Sequence, residues 1–299
     1  MVRSVARIFV WIHTVTLHQE AITVPETPPL ALRASAVIAA LTHGSLCDDG
    51  LTLVFCAALQ ASLQPGRQTN QQKKEIIMIN VQSAFQAQSE AYSNQIFHGD
   101  CIDVLKSLPS GAVDLTITDP PYLVNYQDRE GRGILNDVHG DWLRPAFVEV
   151  YRVLKADSFC ISFYGWNRVD AFMSAWRAAG FVPVGHIVWP KNYSSSSRFL
   201  AYKHEQAFLL AKGNPQIQGR PLPDVQRWSY TGNRLHPTQK SVEIIEPLIR
   251  SFSGRNDVVL DPFCGSGTTA KAAKNLGRRF IGIEKSREYF EIAHQRLSR

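Results

Sequence analysis

Val258-Val259-Leu260 runs directly into Asp261-Pro262-Phe263-Cys264-Gly265-Ser266-Gly267-Thr268-Thr269-Ala270. Three consecutive apolar, mostly β-branched residues with no polar face describe a strand buried on both sides. Pro262 ends it, and two glycines one residue apart permit a tight turn. Small residues with helix-start character follow. A strand, a glycine turn and a helix in that order belong to a mostly parallel sheet with helices on both faces, an α/β architecture. In such sheets ligands gather at the carboxyl ends of the strands.

The chain from residue 95 onward repeats this alternation. Strands are expected at 96–97, 113–118, 158–164, 181–189, 206–211, 258–260 and 280–283. Helices are expected at 101–108, 143–154, 169–179, 242–252, 268–276 and 286–297. The helix at 143–154 carries Phe147, Val150, Tyr151 and Leu154 on one face, and Gly180 ends the helix at 169–179. Residues 123–141 and 213–235 read as long loops.

Residues 1–77 do not share the pattern. Apolar patches alternate with Pro25, Pro28 and Pro29 and a polar stretch from Gln68 to Lys74, without helix or strand period. Lys73-Lys74-Glu75 requires purine-rich codons that can spell a bacterial ribosome-binding sequence, and Met78 follows two residues later. The expectation is a poorly ordered extension or upstream DNA read as protein, with translation starting at Met78 and the folded domain spanning 78–299. The apolar run at 5–12 is broken by His13, His18, Gln19 and Glu20 and lacks a small-residue cleavage site, so no secretion signal is expected.

Three motifs fall at predicted strand or helix ends. In the first, Gly265 and Gly267 allow close ligand approach, and the helix start favours a negative group. Glu284 ends the next strand, nineteen residues after Gly265, where a carboxylate can accept bonds from two ribose hydroxyls. Gly265-x-Gly267-x-x-Ala270 formally fits a dinucleotide fingerprint too. Asp261 in front of the turn would repel a pyrophosphate and suits a cationic sulfonium.

The second motif is Asp119-Pro120-Pro121-Tyr122, after the apolar run 113–118. A primary amine on an aromatic ring is a poor nucleophile because the ring withdraws its lone pair. The Asp119 carboxylate and the Pro120 carbonyl can accept the two amine hydrogens and turn that lone pair outward. The prolines fix φ, so the carbonyl needs little ordering. Tyr122 can stack on a base, a contact worth roughly 1–3 kcal/mol. The plainer alternative is a strand-ending turn with Tyr122 in the core.

The third motif is His236-Pro237-Thr238-Gln239-Lys240, before the helix at 242–252. Thr238 can cap that helix and Lys240 can reach a carboxylate such as that of an amino acid. The plainer alternative is a capped surface helix with an exposed lysine.

The net charge of +6 and pI near 9.1 are compatible with a polyanionic partner. The cysteines at 47, 56, 101, 160 and 264 form no CxxC pair and no zinc-ligand spacing. Reduced thiols and no metal are expected, and no segment reads as membrane-spanning.

Together the three motifs resemble one family, the S-adenosylmethionine-dependent DNA amino-methyltransferases, in the subgroup whose DPPY precedes FxGxG. The resemblance covers about residues 94–297. It implies a Rossmann-like methyltransferase fold, a seven-stranded sheet with one antiparallel hairpin strand. It implies that Asp119, Pro120, Pro121 and Tyr122 are catalytic and orient the exocyclic N6 amine of a flipped-out adenine in double-stranded DNA. It implies cofactor contacts from Asp100, Thr238, Lys240, Asp261, Phe263, Gly265, Ser266, Gly267, Thr268 and Glu284, with the 236–240 segment at the methionine part. Ser241 stands where the family usually has proline.

Recognition loops are then expected at about 123–142 and 190–235, with Arg129, Arg132, Lys191, Arg198, Arg220, Arg227 and Trp228 as candidate DNA contacts. The location implied is the bacterial cytoplasm. A homodimer and a separate restriction endonuclease are both compatible with the sequence. The alternatives are methylation of cytosine N4 or of RNA, an NAD-dependent oxidoreductase, for which DPPY has no role, and a DNA-binding protein without catalysis.

Overall fold

A computed structural model of the protein describes residues 91–298, apart from 128–130, 132, 195–198, 218 and 233–234. The segment 1–77 lies outside the described residues, as do Arg129, Arg132 and Arg198 of the candidate DNA contacts.

Seven strands form one sheet: β1 (Gln95–His98), β2 (Val113–Thr118), β3 (Leu154–Phe163), β4 (Val182–Pro190), β5 (His204–Lys212), β6 (Val258–Asp261) and β7 (Arg279–Glu284). Six helices join them: α1 (Cys101–Ser107), α2 (Leu143–Val153), α3 (Val169–Ala179), α4 (Val242–Phe252), α5 (Thr268–Asn275) and α6 (Arg287–Ser298). The sheet order is β1-β7-β6-β2-β3-β5-β4. β1, β7, β6, β2 and β3 pair in parallel, while β5 is antiparallel to both β3 and β4.

The central strands are the most apolar because both their faces are covered. All four residues of β6 are buried, as are five of the six in β2. One face packs Leu105 of α1, Phe147 and Val150 of α2, and Phe172 and Trp176 of α3. The other packs Ile244, Ile245, Leu248 and Ile249 of α4, Ala272 and Ala273 of α5, and Ala293 of α6. β4 lies at the sheet edge, where its first half exposes Val182 and Val184. Its second half is flanked by residues 224–226, which bond to Val188 on both sides.

Two local expectations need correction. β3 begins at Leu154, not 158, because the chain passes from α2 into the strand without a loop. Lys155, Ala156 and Asp157 are exposed and hid that continuity. Thr238 does not cap α4. Ser241 occupies the cap position and makes no capping bond, and Thr238 Oγ1 instead lies 3.3 Å from His236 Nδ1.

Candidate active site

β2 delivers Asp119 to the carboxyl edge of the sheet. Both carboxylate oxygens are engaged: Tyr122 Oη donates to Oδ1 at 2.6 Å, and Lys240 Nζ donates to Oδ2 at 2.7 Å. Pro120 and Pro121 are buried, so the turn cannot rotate freely. Tyr122 is backed by Gly165, where an added Cβ would lie 3.0 Å from the tyrosine Cβ. Burial, then the neighbouring Asp119 carboxylate, push the Tyr122 phenol well above its ordinary range, so it stays a hydrogen-bond donor at neutral pH.

The loop after Tyr122 is held by a residue that sequence reasoning missed. Asp137 is buried, and its Oδ1 accepts from the backbone N–H of Leu123 at 2.6 Å and of Val124 at 3.3 Å. Its Oδ2 accepts from Tyr126 N–H at 2.6 Å, and its carbonyl accepts from Asn125 N–H at 3.0 Å. The loop therefore wraps around one carboxylate, with Leu123 and Asn125 in the left-handed region at φ 62° and 51°. No spacing rule points to Asp137; the bond joins residues fourteen apart and exists only once the loop folds back. The same loop leads to Trp142, whose ring packs 5.1 Å from that of Phe263.

The opposite wall is the turn between β6 and α5. Gly265 and Gly267 both take positive φ, 50° and 75°. A Cβ at Gly267 would stand 3.1 Å from Ala293 Cβ, so glycine is also what lets α6 pack here. Glu284, at the end of β7, accepts from Gly265 N–H at 2.9 Å and from Ser286 N–H at 2.7 Å. Burial raises its pKa, against the pull of those N–H groups. Asp261 is buried, accepts from Thr269 Oγ1 at 2.7 Å and from Phe263 N–H at 3.2 Å, and is pushed by burial up to about 7. Arg296 donates to the Ser266 carbonyl at 3.2 Å and to Thr268 Oγ1 at 2.9 Å. Thr268 Oγ1 in turn donates to the Lys240 carbonyl at 3.1 Å, tying the 236–240 segment to the glycine turn. Asp100 accepts from Ile102 N–H at 3.0 Å and pairs with Lys285 at 3.0 Å.

These parts meet. Asp119, Pro120, Pro121 and Tyr122 line one cleft of about 390 Å³ together with Asp100, Thr238, Phe263, Gly265 and Glu284. Asp119 also lines a smaller adjoining cavity of about 50 Å³ with Lys240, Asp261, Ser266 and Thr268. The Thr118 hydroxyl lines that second cavity, is buried, and has no hydrogen-bond partner among the described residues. Gly267 is the one predicted site residue placed in neither lining; it acts through packing.

Of the remaining candidate contacts, Arg220 and Arg227 are exposed. Lys191 is not available to a phosphate: its side chain is buried and pairs with Glu205 at 2.7 Å. Trp228 is half-buried and donates to Tyr193 Oη at 3.2 Å. No group of three or more metal-ligating side chains occurs among the described residues, and none of their helices is long and apolar enough to cross a membrane.

Residues 113–295 match the N6_N4_Mtase family, described as DNA methylase. This chain belongs to the N6/N4 DNA methylase family. The "Putative methylase YubD" of Escherichia coli K12 is 52% identical over 205 residues, covering 69% of this chain and 90% of that protein. The type II methyltransferase M.BglII, given for Bacillus subtilis, is 30% identical, covering 69% of each. A crystal structure of the M1.HpyAVI–SAM complex superposes with TM-score 0.55 at 28% identity, covering 69% of this chain and 99% of that one. The cytosine-N4-specific PvuII DNA methyltransferase shares the fold, with TM-score 0.57 at 18% identity and coverage of 68% and 85%.

Proposed function

We propose that this DNA methylase is site-specific for adenine and methylates its N6 amine in double-stranded DNA, with the base extruded into the cleft. The reading is supported above all by one observation: the Asp119–Tyr122 clamp and the Gly265–Glu284 wall line a single cleft of about 390 Å³. An amine held by the first would face a ligand held by the second.

The residues fit S-adenosylmethionine. Glu284 keeps acceptor capacity on both oxygens for ribose hydroxyls. Phe263 and Asp100 line the same wall, and the unpartnered Thr118 hydroxyl and Asp261 line the smaller cavity beside it. Ser266, Thr268 and Thr238 complete the polar lining. When bound, this cofactor supplies an electrophilic methyl group on a sulfonium.

The chain's own residues then have these tasks. Asp119 accepts one hydrogen of the amine and the Pro120 carbonyl the other, which exposes the nitrogen lone pair. Pro120 and Pro121 hold that geometry before the base arrives, so alignment supplies much of the acceleration. Tyr122 fixes the plane of the Asp119 carboxylate through its hydroxyl and offers its ring to the base. Asp137 fixes the backbone that follows. Exposed Arg220 and Arg227 are candidates for phosphates. The enzyme works in the bacterial cytoplasm, with DNA.

The test is transfer of labelled methyl groups to plasmid DNA, followed by nuclease digestion and mass analysis. N6-methyladenine is expected. N4-methylcytosine would shift the target within the same family, and modified RNA alone would overturn DNA as substrate.

A further inference from the structure

Lys240 is an expensive residue in its observed position. Its side chain is 8% exposed, its ammonium lies 4.8 Å from the Phe163 ring centre and 5.8 Å from that of Tyr122, and it pairs with Asp119 at 2.7 Å. A buried ion pair seldom adds net stability, which makes a functional reason worth seeking. The partner supplies one: of all the carboxylates, Lys240 chose that of the DPPY turn.

A carboxylate rotates about its last bond unless both oxygens are held. Here Tyr122 holds Oδ1 and Lys240 holds Oδ2. Each oxygen retains a lone pair, so an incoming amine meets an acceptor whose plane is already set. A second ion pair joins β5 to the residue after β4: Glu205, near the start of β5, binds Lys191 at 2.7 Å, and the Lys191 ammonium lies 5.5 Å from the ring centres of both Tyr193 and Trp228. Burial opposes the charge on Lys240, but Asp119 first and Glu205 second outweigh it and raise its pKa, so the ammonium is retained.

We propose that Lys240 is a positioning residue for Asp119 rather than a ligand of the cofactor carboxylate. This rests on the methyltransferase reading above.

The experiment separates turnover from cofactor binding. Lys240→Met and Lys240→Arg are assayed for kcat on methylatable DNA. Kd for S-adenosylmethionine is measured by calorimetry. For Lys240→Met, kcat is expected to fall about a hundredfold with Kd within about threefold of wild type, the signature of lost alignment. Lys240→Arg should recover part of the rate. A cofactor Kd weakened tenfold or more in Lys240→Met, or an unchanged kcat, overturns the inference. Should Lys240→Met not fold, Lys240→Arg decides alone: a lowered kcat at unchanged Kd supports positioning, and a wild-type kcat or a Kd weakened tenfold overturns it. Absence of methyl transfer by the wild-type chain overturns the functional reading itself, and this inference with it.

Discussion

The floor and the rim of the cleft are built differently. On the floor, Asp119, Asp137, Asp261 and Glu284 are each bound by at least two donors from the chain. At the surface, which stands here for the rim, Phe199 is 84% exposed, Leu200 68% and Tyr230 60%, and Arg220 and Arg227 are exposed; none of them lines the cleft. Each floor carboxylate is held by several bonds, whereas these side chains face solvent. Alignment of reacting atoms tolerates little displacement, whereas contact with a long polyanion is spread over many weak interactions. Four measurements test that contrast.

The largest effect belongs to the floor. Asp119→Ala should lower methylation at least about a hundredfold while leaving cofactor affinity nearly intact. It also strands the Lys240 ammonium, so a stability loss of about 3–5 kcal/mol should accompany it in denaturant melts. Full activity would remove the clamp from the mechanism. Asp137→Ala comes next. Buried N–H groups lose their acceptor, with an expected cost on the order of 2–3 kcal/mol and roughly tenfold in kcat. A merely local loop role would show as unchanged turnover.

Asp261 supplies a pH test. Its folded pKa of about 7 lies above its ordinary 3.8, so the native state keeps a proton that the unfolded chain releases first. Its contribution is therefore fully present below about pH 4 and lost as pH rises through 7. Asp261→Asn keeps an acceptor for Thr269 and removes the ionisation. Relative to wild type, it should gain roughly 2–3 kcal/mol between pH 5 and pH 8 in urea melts. Parallel pH profiles would contradict the buried-proton account. The smallest effect belongs to the rim: Phe199→Ala should change stability by no more than about 0.5 kcal/mol. It should raise KM for DNA only a few-fold, since single rim contacts are individually weak. A collapse of kcat there would erase the distinction.

Strands and helices were legible because their apolar runs are long and bounded by glycine, proline or capping residues. The start of β3 was not, since exposed Lys155 and Asp157 look like a loop when the pairing partner is unseen. The three motifs were legible as letters, and their common cleft followed from their positions at strand ends. Their partners were not legible. Lys240 and Asp119 are 121 residues apart, and Asp137 earns its place only through a folded loop. Lys191 read as a surface base because nothing local signals that Glu205 awaits it across a hairpin.

The reversed direction of β5 has a consequence for how such a protein can change. A strand running with its neighbours would need a crossover helix, and the chain would cross the reactive edge once. By turning back, β4 and β5 leave Lys191 and Lys203, joined by a backbone hydrogen bond, at that edge, and the return path along β4 leads on to 236–240, of which His236 and Thr238 line the cleft. The polypeptide visits the mouth twice without touching the order of the parallel strands. Either excursion can then lengthen or change in sequence while the parallel strands and the turns at Asp119 and Gly265 beneath it stay as they are.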